Sequence, residues 1–339
     1  MKNQPTSHKL SPVQKELLNI YKVVKQLCEK HDISFYAIGG TALGAVRHHG
    51  FIPWDDDIDL GIPVNDYNKF IKICKKELPS PYVFEPLHIF GGKIHNTNTT
   101  FLEAQSVFSQ TTKCNGVYID IFPLIGTPND SEKRNSFLEE LHQYFIEAFV
   151  YDRYPNCSKM SKSEINKWRD DILSRYSQSE SEYVTEFATG FDFIKKASGM
   201  DHPINMPFEN TFVPVMSTYE EDFKVEYGDW RKLPPADQRH THDKYTLIDL
   251  KKPYLYYQKE ISQITPKILN FLKLKDKQEG HFFYDSKLLL LQHNQLIKQF
   301  EKQSQELSEL RFNIKQIKDS RAYNLVRKLQ KLSAKIQRK

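Results

Sequence analysis

Residues 39–62 read GGTALGAVRHHGFIPWDDDIDLGI, and the organisation of the chain follows from that stretch. Just ahead of it, ISFYAIGG (33–40) alternates briefly and ends on two glycines, which predicts a strand entering a tight turn. Thr41 to His49 then reads as a short helix closed by Gly50. After a loop containing Pro53, DIDLGI (57–62) returns to short β-like alternation. Strand, glycine turn, helix, loop and acidic strand therefore follow one another within about thirty residues.

Outward from this stretch, Ser11-Pro12 is an N-cap followed by proline at the first helical position. Leu17, Leu18, Tyr21, Val24, Leu27 and Cys28 recur at helical spacing and carry that helix to about His31. Residues 65–78 read as a second amphipathic helix, capped by Asn65. GVYIDIFPL (116–124) is the next strong strand, with Tyr118, Asp120 and Phe122 on one face and Ile119 and Ile121 on the other. Residues 130–180 are polar and helical in character. The Pro- and aromatic-rich stretch 200–245 shows little periodicity and reads as irregular but ordered. No proline or glycine occurs from 284 onward, and Phe300, Leu307 and Ile314 fall seven apart, which predicts a long helix or a short coiled coil.

Composition narrows the class. Hydrophobic residues are 39% and charged residues 27%, as in soluble globular proteins. The N-terminus has no apolar core of a secretory signal, and no run approaches a spanning helix of about 18 apolar residues. The four cysteines, Cys28, Cys74, Cys114 and Cys157, form no CxxC pair, so neither a zinc knuckle nor a disulfide framework is indicated. A reducing cytoplasm is the simplest compartment. The formal charge of +5 is unevenly spread. Residues 315–339 hold nine Lys or Arg and one Asp, leaving 39 basic and 42 acidic residues in the rest. A body that is net acidic argues against a nucleic-acid partner.

Three features carry chemistry. Gly39-Gly40-Thr41 ends a strand and opens a helix, where backbone N–H groups can cradle a phosphate; a plain turn uses the same residues. Asp57 and Asp59 are two apart on a strand, so both carboxylates point to one face. Side by side they repel unless a cation lies between them, and Mg²⁺ or Mn²⁺ is the natural partner for oxygen ligands and donor phosphates. Asp120, set between Ile119 and Ile121, needs a partner of its own. It either completes a three-carboxylate metal site, serves as a general base, or is a core aspartate satisfied by a backbone donor. Arg47 has the planar fork to pair with a phosphate oxygen. His48 lies at a helix end, more in keeping with a surface position than with catalysis. Trp54 suits either stacking on a base or sugar or covering the core. Tyr227 and Trp230 are candidates for an acceptor platform. His240 and His242 lack neighbouring ligands at zinc spacing.

GGTALGAVRHHGFIPWDDDIDLGI resembles the signature of the LicD/fukutin family of the nucleotidyltransferase-fold superfamily. The matching elements are Gly39-Gly40, Asp57-x-Asp59 and Asp120, with Asp55 on a further acidic position of the run. VYIDIFPLIG and VEYGDWRKLPPADQRHTH resemble downstream blocks, so the likeness spans roughly residues 25–250. It implies an α+β fold, a mixed sheet with flanking helices, as a catalytic domain over residues 1–280, followed by a helical, basic tail over 281–339. It further implies catalytic Asp57, Asp59 and Asp120, with Asp55 joining them as metal ligands, and Arg239 and His240 lining the site. The implied activity moves phosphocholine or a polyol phosphate from a CDP-linked donor to a hydroxyl of a cell-surface glycan or lipid-linked glycan. A true nucleotidyltransferase releasing pyrophosphate and a non-catalytic scaffold are the alternatives. In the tail, Leu325, Val326, Leu329, Leu332 and Ile336 share a face ringed by Lys and Arg. That pattern is expected either for self-association as a coiled coil or for a helix lying on an anionic inner membrane leaflet.

Overall fold

The computed structural model describes residues 9–87, 91–103, 113–153, 158–187, 194–239 and 245–259, all within one compact unit spanning 1–292. The predicted tail, and His240 with it, lies outside the described residues.

The first helix, α1 (Pro12–Lys30), starts where the sequence indicates, with the Ser11 hydroxyl accepting from the Gln14 N–H and the Gln14 side chain returning to the Ser11 N–H. Its apolar stripe, Leu17, Ile20, Tyr21, Val24 and Cys28, is buried. β1 is only Tyr36–Ala37, because Gly39 takes φ +52° and the chain turns at once into α2 (Gly39–His48). α2 thus begins two residues before the predicted Thr41. His49 closes it in the left-handed conformation, one residue ahead of the expected Gly50. β2 (Asp59–Pro63) runs straight into α3 (Val64–Glu77). Asn65 therefore is not the cap. No loop separates strand from helix, Pro63 takes the capping position, and the Asn65 amide donates to Ser177 Oγ instead.

The remaining elements are β3 (Tyr82–Pro86), β4 (Gly92–Asn96), β5 (Thr100–Glu103), β6 (Val117–Gly126), α4 (Ser131–Arg153), α5 (Lys162–Arg175), β7 (Tyr183–Glu186), β8 (Ile194–Lys196), β9 (Ile204–Phe208), β10 (Thr211–Val215), α6 (Tyr219–Tyr227) and β11 (Tyr245–Asp249). Among the described residues one mixed sheet runs β3-β4-β6-β2-β1-β10-β9, with β7 and β8 added beside the far half of β6. The β2–β6 and β1–β10 pairs are parallel and the others antiparallel. β5 and β11 form a separate two-stranded ribbon.

The stretch 200–245 is more regular than its sequence suggests, holding the β9–β10 hairpin and α6. Its prolines hide the hairpin. Pro207 and Pro214 sit within the strands, and Pro207 is tolerated because β9 is an outer strand of the sheet. α1 and α3 cover one sheet face, over Ile58, Leu60, Ile62, Ile94, Ile119 and Ile121. Each such side chain contributes about 1.5–3 kcal/mol on burial. The opposite face of β6 presents Tyr118, Asp120 and Phe122, which are only half-buried. Among the described residues no helix is long and apolar enough to cross a membrane.

Candidate active site

Asp59 opens β2 and Asp120 lies in β6, directly opposite it in the parallel register. Parallel pairing keeps side chains of opposed residues on one face, so the two carboxylates stand side by side. Local hydrogen bonds fix both backbones. The Asp59 N–H donates to Thr41 Oγ1 at 2.9 Å, the Ile38 N–H to the Asp59 carbonyl at 3.2 Å, and the Asp120 N–H to the Ile58 carbonyl at 2.9 Å. The glycine turn and the acidic pair are thus joined through Thr41 and Ile38.

Gly39 is favoured by its backbone conformation and Gly40 by what approaches it. A Cβ on Gly39 would lie 3.7 Å from Asp59 Oδ2 and 3.9 Å from the Tyr227 hydroxyl, in a left-handed conformation that already disfavours a side chain. On Gly40 it would meet Asp55 Oδ2 at 2.7 Å, a clash. Asp55 is buried against this first turn of α2, and its carbonyl accepts from Gln14 Nε2 at 2.8 Å. The same glutamine that caps α1 therefore also anchors the acidic loop. Asp57 lies ahead of β2 and faces a narrow cleft together with Asp56, Phe101, Glu103 and Tyr118.

Tyr227, at the end of α6, joins this constellation. Burial first, and then the neighbouring Glu226 carboxylate, hold its phenol far above the ordinary range, so it remains a neutral hydroxyl. Trp230 does not join it. Its ring is buried, packed edge-on against Tyr219 and Phe223, with the Arg231 guanidinium over it. Arg47 lies in the last turn of α2, and eight residues of helix separate it from Gly39 by about 12 Å. Its Nη1 donates to the Trp230 carbonyl at 2.8 Å. His48 stacks edge-on to Trp54, and burial together with Arg47 and His49 pushes its pKa down to about 4. Trp54 packs on the core, and the Arg239 guanidinium lies 5.5 Å from its ring centre. Arg47, His48, Trp54 and Arg239 thus form a second group at the far end of α2, away from the glycine turn.

Two neighbours of the carboxylates went unread in the sequence. Lys93 on β4 lies opposite Asp120 in register, and its Nζ is 3.8 Å from Asp120 Oδ1. Glu103 on β5 is 3.2 Å from the same ammonium. Nothing in GGKIHN or TFLE marks either; only strand pairing brings them in. Among the described residues no three His, Cys, Asp or Glu side chains close around a single point as a metal cage would. The donor set nevertheless suits Mg²⁺ or Mn²⁺. Such ions take one or two carboxylates and leave the remaining positions for substrate phosphates and water. Asp59 and Asp120, opposite each other in register, are that kind of set.

Residues 32–155 match the family LicD/FKTN/FKRP, nucleotidyltransferase domain, and so include the glycine turn, the acidic strand and Asp120. The chain is similar to the lipopolysaccharide cholinephosphotransferase LicD of Haemophilus influenzae, at 27% identity over 256 residues. That match covers 66% of this chain and 92% of the relative. Shorter matches join it to uncharacterised proteins of Rickettsia typhi, 43% identical over 18% of this chain and 20% of that protein, and Rickettsia prowazekii, 46% identical over 15% and 21%. The strand–glycine turn–helix and the in-register aspartates all lie inside residues 32–155, the segment that matches the LicD/FKTN/FKRP nucleotidyltransferase domain.

Proposed function

We propose that this protein is a metal-dependent phosphotransferase of the LicD type. It moves a phospho-alcohol, phosphocholine or a polyol phosphate, from a CDP-activated donor to a hydroxyl of a cell-surface glycan. The observation that carries the reading is the Asp59–Asp120 pair, set in register beside the N-terminal turn of α2. The likeness to a lipopolysaccharide cholinephosphotransferase over most of that relative's length supports the group transferred.

On this reading the backbone N–H groups at Gly39-Gly40 receive a donor phosphate at the positive end of α2. Asp59 and Asp120, with Asp57, would hold Mg²⁺ or Mn²⁺, which when bound neutralises diphosphate charge. The Tyr227 hydroxyl, beside Gly39, donates a hydrogen bond to an oxygen bound there. The acceptor hydroxyl passes its proton to an aspartate of the acidic row as its oxygen bonds to the phosphorus bearing the alcohol, the bond from that phosphorus to the bridging oxygen breaks, and CMP departs. Positioning and charge stabilisation supply most of the rate in such transfers.

The deciding experiment incubates the full chain and Mn²⁺ with CDP-choline, CDP-ribitol and CDP-glycerol in turn, with a glycan acceptor. Release of CMP is expected from one of them. Pyrophosphate release from CTP, without CMP release from any CDP donor, would identify a true nucleotidyltransferase instead. An inactive scaffold would release neither. The basic segment 315–339 supports placing the enzyme at the cytoplasmic face of a membrane, near a lipid-linked acceptor.

A further inference from the structure

The row of charges does not end at Asp120. β4 pairs with β6 on the side away from β2, so Asp59, Asp120 and Lys93 stand side by side on three neighbouring strands. The Lys93 side chain is only 12% exposed. Its Nζ lies 3.2 Å from Glu103 Oε2, 3.8 Å from Asp120 Oδ1 and 3.3 Å from the centre of the Tyr118 ring. Two carboxylates and an aromatic face thus enclose one ammonium, the surroundings that let a charge leave water without prohibitive cost. Glu103 comes from the β5–β11 ribbon, outside the main sheet, so a separate element closes this enclosure.

An ammonium against Asp120 opposes a second cation arriving at the same carboxylate. We propose that Lys93 is a resident counter-cation of the acidic row. It holds Asp120 with Glu103 and so makes the site bind a divalent ion weakly by itself, and firmly only together with an anionic diphosphate. The diphosphate brings its own metal ligands and offers Lys93 a second anion, so metal and donor favour each other's binding reciprocally. Lys93 is a positioning residue in this account. The inference rests on the metal-dependent reading above and adds the order in which charge is assembled.

The test titrates Mn²⁺ alone into the full chain, following free Mn²⁺ by electron paramagnetic resonance, and repeats it with CDP-choline present. Lys93→Met keeps the stem and removes the charge, while Lys93→Arg keeps the charge. Without donor, Lys93→Met should bind Mn²⁺ at least tenfold more tightly than the parent, and Lys93→Arg within threefold of it. With donor, the added gain should be smaller in Lys93→Met than in the parent. Should Lys93→Met not fold, Lys93→Gln, which can still hydrogen-bond Glu103, carries the same comparison. A donor-free affinity within twofold of the parent, or weaker, overturns the proposal. The two readings fail separately. Tighter Mn²⁺ binding with no CMP release from any CDP donor removes the transferase reading and leaves the counter-cation. Mn²⁺-dependent CMP release with unchanged affinity removes the counter-cation alone.

Discussion

At Asp59 and Asp120 the chain tolerates like charges side by side on one sheet face, at a cost that a functional site repays only when loaded. Asp57→Asn and Asp59→Asn should each lower transfer at least a hundredfold while leaving the metal-free fold as stable as before, or more so. Transfer within threefold of the parent in either variant would end the assignment. Asp120→Asn should differ in sign on stability. It strips Lys93 of one of its two carboxylates and should cost about 1–3 kcal/mol in a denaturant titration. A second residue-scale expectation concerns His48, whose folded pKa of about 4 lies below the ordinary histidine value. The unfolded chain therefore binds more protons between about pH 4 and 6.5, so stability is fully present above that window and falls as pH drops through it. His48→Gln should lose less melting temperature between pH 7 and pH 4.5 than the parent, and an identical drop in both would refute the assignment. Asp59 and Asp120 stand out in the sequence because each carboxylate sits between apolar residues, Ile58 and Leu60 in one case and Ile119 and Ile121 in the other, while Asp57 is marked by the acidic run that precedes it. Lys93 and Glu103 were not, because lysine and glutamate at a strand edge look like ordinary surface until pairing brings them together.

Among the elements, α2 links two groups of side chains, with the glycine turn at its N-terminus and Arg47 at its other end. The sequence suggests a phosphate contact for Arg47, yet its guanidinium donates to the carbonyls of Trp230 and Lys232, tying helix to loop. Arg47→Ala should therefore cost about 1–2 kcal/mol in denaturant unfolding. It should change the apparent affinity for a CDP donor by less than threefold, and a tenfold rise in donor KM with unchanged stability would return Arg47 to phosphate binding. The elements themselves were readable wherever periodicity was strong, as in α1 and β6. They were missed where proline broke the pattern, as in β9 and β10, and where a strand fed a helix without a loop, as at Pro63. The partner of Trp54 was not legible either, since a ring at a loop end gives no sign of what it will face.

For the molecule as a whole, charge is divided between a net acidic body and a basic C-terminal segment. All the proposed site residues that the structure describes lie within residues 39–239, so the segment is not needed to build the site. Deleting residues 315–339 should leave turnover on a small soluble acceptor within about twofold, yet release the protein from anionic vesicles, because each basic residue near such a surface contributes about 1 kcal/mol. Full-length protein should likewise detach as salt rises and the Debye length shrinks to about 3 Å at 1 M. Full-length chain that ignores anionic vesicles at low salt would refute the membrane role, and a dimer lost on truncation would establish the coiled coil in its place.

The order of strands in the sheet also dictates when the protein can first work during its own synthesis. β1, the strand that leads into the glycine turn, is flanked on one side by β10, with Ala37 paired to Val215. Until residue 215 has left the ribosome, that flank of β1 is an open edge with unmet backbone groups, at the very base of the glycine turn. At roughly 5–20 residues per second, the interval between making β1 and covering it lasts on the order of ten seconds or more. Tyr227 follows only after that. A nascent chain that already holds all three aspartates is thus still without the strand and the hydroxyl that frame them, and the enzyme stays silent until translation is well past its middle.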